Sequence, residues 1–130
     1  MSYTTSDFSE SLSRVGIEPV LVARVLAAWG GGDGQGEDSG KGWSDEGVTD
    51  WTGGFLFQLK DGRVAYVHGW CDYTGWGCQD GAAVVWYDAP PQLADVVAPE
   101  DMSTQPHDWD EEPADLNKWL ADGAADPYSV

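Results

Sequence analysis

Between Gly53 and Tyr87 the apolar positions fall into three short runs, FLFQL, VAYVHGW and AAVVWY. The first two are separated by Lys60-Asp61-Gly62-Arg63, and the last two by an aromatic segment rich in glycine. Runs of this length bounded by turn residues predict three strands of an antiparallel meander. Asp61-Gly62 predicts a two-residue hairpin turn, because this pair tolerates the positive φ needed at both central positions. That turn sets a register in which Lys60 faces Arg63, Leu59 faces Val64, Phe57 faces Tyr66 and Phe55 faces His68. Alternation then places Phe55, Phe57, Leu59, Val64, Tyr66, His68 and Trp70 on the core face, with Leu56, Gln58, Ala65 and Val67 on the other. The third strand, Ala82 to Tyr87, is apolar on both sides, which predicts a central or covered position.

A spacing of three and four residues brackets the meander. Phe8, Leu12 and Val15 share one side of a short helix over residues 6–15, opened by Ser6 or Asp7 and stopped by Gly16. Pro19 sits where a helix favours proline, and Val20, Leu21, Val22, Val25, Leu26 and Trp29 come after it, up to the Gly30-Gly31-Gly32 stop. This predicts a second helix, apolar nearly all round and therefore buried. Two helices joined at a glycine invite comparison with a helix-turn-helix, but only Arg24 is basic on the second, which argues against DNA reading. Residues 88–97 leave the sheet at Pro90-Pro91, and Leu93 to Val97 fits either a helical turn or an edge strand. Residues 98–112 read as an acidic loop. Pro113 to Asp122 predicts a last helix with Leu116, Trp119 and Leu120 on one stripe.

The whole chain of 130 residues is thus expected to form one α+β domain. In it a three-stranded antiparallel β-meander packs against two N-terminal helices and a short C-terminal helix, with a mobile Gly/acidic loop over 30–50 and an acidic segment over 88–130. Composition supports a folded core: 42% of residues are hydrophobic, including eight Trp, five Tyr and three Phe. No apolar stretch is long enough to cross a bilayer and no export signal is read, so the expected location is cytoplasmic. Charge changes the picture of partners. Twenty-three Asp and Glu oppose six Lys and Arg, a formal net charge of -17, and residues 88–130 hold eleven acids against Lys118 alone. Such a field repels nucleic acid and anionic membrane and attracts basic partners. Solubility or the compositional habit of a GC-rich or salt-adapted source would give the same acidity.

Candidate chemistry is sparse. The loop 30–50 lacks the strand, GK[ST] and helix context of a phosphate cradle, and its acids miss the register of a calcium loop. His68, Cys71 and Cys78 are the one cluster of soft ligands; a fourth from Asp72, Asp80 or His107 would be needed for a structural zinc, so neither metal nor cofactor is expected. A core histidine is the simpler reading of His68. Cys71 and Cys78 bracket a loop between strands expected to run side by side, which leaves a disulfide and buried free thiols both open. With no oxyanion hole or orienting group in view, nucleophilic catalysis is not expected, and the chain is read as a non-enzyme. Trp70, Tyr73 and Trp76 offer rigid apolar faces with polar handles, suited to a binding hot spot or equally to finishing a small core. Asp108, Asp110, Glu111 and Glu112 form the densest acidic run.

The GWCDYTGWGCQDG segment resembles small acidic proteins of GC-rich bacteria and their phages. The resemblance covers one loop and implies no activity. The expected function is a non-enzymatic interaction protein that binds a basic partner through Asp108, Asp110, Glu111, Glu112, Trp70, Tyr73 and Trp76. A DNA mimic or an immunity or anti-defence inhibitor would act in this way. The alternative is a small ligand- or metal-binding module built on the Cys71–Cys78 loop.

Overall fold

The computed structural model describes residues 5–30, 51–72, 79–96 and 109–125. They form an α+β structure with a five-stranded antiparallel sheet and two α-helices. In chain order the elements are α1 (Thr5–Arg14), β1 (Val22–Gly30), β2 (Trp51–Leu59), β3 (Val64–Asp72), β4 (Gln79–Tyr87), β5 (Asp110–Glu111) and α2 (Ala114–Ala121), with 3-10 turns at Pro19–Leu21 and Leu93–Asp95. The sheet order is β4-β3-β2-β1-β5, so a four-stranded meander is closed on one side by a two-residue strand.

The first and last helices agree with the sequence reading, and the expected second helix does not. Pro19 opens a single 3-10 turn, and Val22–Gly30 continues as β1, antiparallel to β2. The register of β1 against β2 shifts between Val22 and Arg24 and again between Val25 and Ala27. Each β-bulge inserts one extra residue and exchanges the faces of the residues beyond it. Val22, Val25 and Ala28 consequently lie in one core cluster at a spacing of three, which imitates a helical stripe. Leu93–Asp95 is a 3-10 turn and Asp110–Glu111 is β5, where an acidic loop was expected; residues 97–108 lie outside the described residues.

The β2–β3 hairpin is present, but its register differs by one residue from that of a two-residue turn. The observed pairs are Gln58↔Val64, Phe57↔Ala65, Leu56↔Tyr66, Phe55↔Val67 and Gly54↔His68. Leu59 N–H donates to Arg63 C=O at 2.8 Å and Gly62 N–H donates to Leu59 C=O at 2.9 Å, so three residues form the connection. Only Gly62 in it has positive φ, at 100°, which is the signature of an ordinary turn followed by a glycine bulge. The Asp61 carboxylate accepts from the Arg63 N–H at 3.0 Å and holds the turn from inside.

One residue of slip exchanges faces. Phe55, Phe57, Ala65 and Val67 face the helices, where Phe8 of α1 meets Phe55 and Phe57 at ring-centroid distances of 4.9 and 5.6 Å and Trp119 of α2 at 5.9 Å. Leu56, Val64 and Tyr66 face the other way and are covered by Val96, Leu93 and Trp109. Both faces of the central strands are therefore buried, and no single core face exists. Each of the fully buried Phe side chains contributes about 1.5–3 kcal/mol relative to exposure.

Besides its packing, helix α2 is hydrogen-bonded to β1 through the side chain of Asn117. Asn117, the only asparagine of the chain, accepts from Val25 N–H through Oδ1 at 2.8 Å and donates from Nδ2 to Val25 C=O at 3.0 Å. Its amide thus satisfies a residue of β1 as a neighbouring strand would. Asn117→Ala leaves both backbone groups of Val25 unpaired in a half-buried position and should lower stability by about 1–3 kcal/mol, read as a reduced urea midpoint with an unchanged slope.

Candidate functional site

Two features stand out from the core: a polar-aromatic cluster on the face away from the helices, and a row of carboxylates at the β5 edge. The cluster begins at a gap. Trp29 of β1 and His68 of β3 both lie opposite Gly54 of β2, one on each side. A side chain at position 54 would occupy the space between them. Any Cβ there would overlap Trp29 Nε1 and come within 2.5 Å of the Tyr66 hydroxyl. Without it, the indole lies over the sheet, stacks on the His68 ring at 5.8 Å and 17°, and donates from Nε1 to the Tyr66 hydroxyl at 2.9 Å. Trp109 meets the Tyr66 ring edge-on at 5.8 Å.

Burial pushes the Tyr66 phenol well above the usual tyrosine range, against a smaller lowering by the Trp29 hydrogen bond; Tyr87 raises it further. A phenol held protonated this firmly is not a general base at neutral pH. His68 is buried, 2% exposed, and faces Gly54 and Ala83 rather than the Phe55 expected. The cluster therefore works as a packed scaffold. Its outermost member, Trp109, immediately precedes the carboxylate row.

That row is Asp110, Glu111 and Glu112. Asp110 pairs with Ala28 and Glu111 with Ala27 of β1, and Glu112 N–H donates to Leu26 C=O at 2.7 Å. All three residues are exposed. Glu112 takes a left-handed φ of 53°, which turns the chain into α2, and reaches Arg24 at 3.4 Å. The backbone is thus held along β1 by this pairing and by the Glu112 bond, while all three residues stay exposed. Beside the row, a cleft of about 560 Å³ lies between β1 and α2, lined by Arg24, Lys60, Glu112 and Asn117 among others.

Of the other residues singled out from sequence, Trp70 and Cys71 belong to β3, in register with Thr52 and Trp51. Tyr73, Trp76, Cys78, His107 and Asp108 lie outside the described residues, and so does the neck of the Cys71–Cys78 loop. Among the described residues no group of three or more His, Cys, Asp or Glu could hold a metal ion, and no helix is long and apolar enough to cross a membrane. Sequence reasoning missed Trp29 and Gly54. The signal was Gly53-Gly54 inside an apolar run, since glycine within a strand marks close approach of another group.

Two measurements check the cluster. Gly54→Ala should lower stability by about 1–3 kcal/mol through overpacking, and its combination with Trp29→Ala should cost less than the sum of the two single changes, because Trp29 is the group it strikes. The raised Tyr66 pKa has a definite sign. The folded state holds that proton more tightly than the unfolded chain, so its contribution is full below about pH 10, the ordinary phenol value, and is lost as pH rises above it. Stability measured by urea denaturation should fall across that alkaline window, and less steeply in Tyr66→Phe.

Comparison of the chain with family models, with curated proteins and with solved structures finds no match. What the site can do therefore rests on its geometry and charge alone.

Proposed function

We propose that this chain is a non-enzymatic acidic interaction protein whose C-terminal acidic surface engages a basic partner, in the manner of a DNA mimic or an immunity or anti-defence inhibitor. The observation that carries this reading is the clamped row at β5. Asp110, Glu111 and Glu112 are exposed, while Asp110 and Glu111 are in register with Ala28 and Ala27 of β1 and Glu112 N–H is bonded to Leu26 C=O. Carboxylates on an ordered strand lose little conformational freedom on binding, which is what separates a binding surface from a solvated acidic tail. The net charge of -17 adds long-range attraction for a basic surface and speeds encounter. Trp109, packed on Tyr66 beneath the row, fixes it to the core.

A groove that accepts duplex phosphates would meet these carboxylates as it meets a nucleic-acid backbone. The aromatic alternative, a ligand module at Trp70, Tyr73 and Trp76, rests on residues outside those described except Trp70. The two readings part on salt. Charge-driven binding weakens steeply as ionic strength rises, and stacking on an aromatic loop does not.

The test is charge reversal. Replacing Asp108, Asp110, Glu111 and Glu112 by Lys should leave the folded spectrum unchanged, slow association with a purified basic DNA-binding protein by about tenfold or more, and flatten the salt dependence. Duplex DNA should compete with the unaltered chain. Association untouched by the four changes but abolished by Trp76→Ala would transfer the site to the aromatic loop.

A further inference from the structure

The meander has two outer edges, and they differ. The β1 edge is occupied by the Asn117 carboxamide at Val25 and by β5 at Ala27 and Ala28. Among the described residues no strand lies beyond β4. A single bond fixes, by parity, which backbone groups β4 presents. Leu59 N–H donates to Arg63 C=O, so odd-numbered residues of β2 direct their N–H and C=O toward β3. The same parity turns Val25, opposite Phe57, away from β2, which is where Asn117 meets it. The β2–β3 and β3–β4 registers contain no shifts. Val64, Tyr66 and His68 therefore exchange bonds with Tyr87, Val85 and Ala83, while Ala82, Val84 and Trp86 aim their N–H and C=O groups out of the sheet.

Strand β4 has no proline, and Asp80 near its start is its one charge; residues 81–87, GAAVVWY, have none. Charge and proline are the devices that ordinarily blunt an edge strand. Trp86 is 44% exposed, and the Arg63 guanidinium lies 4.6 Å from the centre of its ring.

We propose that the outer edge of β4 is a strand-addition site for an extended segment of a partner protein carrying Lys or Arg at alternate residues, its main chain pairing with Ala82, Val84 and Trp86. This goes beyond the acidic-row reading, because β5 and β4 lie at opposite ends of the sheet. Charge selects the occupant. A second copy would bring -17 against -17, and like charge across an interface disfavours association. A basic segment instead meets exposed Asp88 where β4 ends, within the acidic field of the whole chain; Asp61 in the adjoining turn is already paired with the Arg63 that covers Trp86. Main-chain pairing supplies affinity with little demand on sequence, and the alternate side chains supply selection.

The experiment uses the full chain, isotopically labelled, with an alternating Lys-Val peptide as probe and an alternating Glu-Val peptide as its counterpart. In the free chain the amides of Ala82, Val84 and Trp86 should exchange with solvent faster than those of Ala83 and Val85. Saturating Lys-Val peptide should slow the first three by about tenfold or more, and Glu-Val peptide should not. Val84→Pro removes an outward N–H without touching the β3 ladder and should weaken Lys-Val binding about tenfold; Val84→Thr, which keeps that N–H, should bind as before. If Val84→Pro does not fold, the exchange pattern of the unaltered chain still decides. The proposal is overturned if the three amides are already protected in the free chain. Protection at every concentration would mean that the same chain covers the edge; protection that appears with a doubled mass in sedimentation would mean that a second copy does. It is also overturned if Lys-Val peptide binds while shifting only the Asp110 to Glu112 resonances. Charge reversal at β5 should leave the β4 protection in place, so the two surfaces fail or succeed separately.

Discussion

Strands β2 and β3 are buried on both faces, and everything else in the structure answers to that. Phe55, Phe57, Ala65 and Val67 look one way and Leu56, Val64 and Tyr66 the other, all nearly inaccessible to water. The two small helices among the described residues cannot cover such a sheet symmetrically. Helices α1 and α2 take one face. The other is closed by Val96, Leu93, Trp29 and Trp109, which are side chains from a turn, a strand and the residue leading into β5. Because each central side chain has a matched partner layer, the pairing of β2 with β3 is fixed to the residue.

The same double burial explains where the sequence was legible and where it was not. Strand existence could be read from apolar runs and the hairpin from Asp61-Gly62. Its register could not, because a one-residue slip on a strand that is apolar on both faces moves hydrophobic residues to another hydrophobic layer, and periodicity carries no penalty for the error. The turn itself held the answer: Gly62 alone has positive φ and Asp61 does not. Strand β1 was read as a helix for a related reason. Two bulges give Val22, Val25 and Ala28 a spacing of three, and Leu26, Ala27 and Trp29 fill the opposite layer, so the run is apolar all round in either conformation. The stripe of Leu116, Trp119 and Leu120 was legible because α2 is amphipathic and lies on a surface, where pattern and burial agree.

For the site, the charge of the C-terminal third was plain in the sequence and its order was not. Asp110 and Glu111 are poor strand formers, and the edge of β1 gives them a ladder to join. The Trp29, Gly54, Tyr66 and His68 arrangement depends on a contact between strands far apart in sequence, across a position with no side chain. A double glycine hints at such a gap without saying what fills it.

The carboxamide of Asn117 has a consequence for assembly. It occupies the hydrogen-bonding groups of Val25 as a strand one residue long would, and it arrives on a helix that cannot itself be extended as a sheet. A sheet grows into a filament only if each added unit exposes both a donor edge and an acceptor edge for the next. Here one border is sealed by the chain's own helix and a two-residue strand. Growth of the sheet strand by strand through that border is thereby blocked, whatever the other border does.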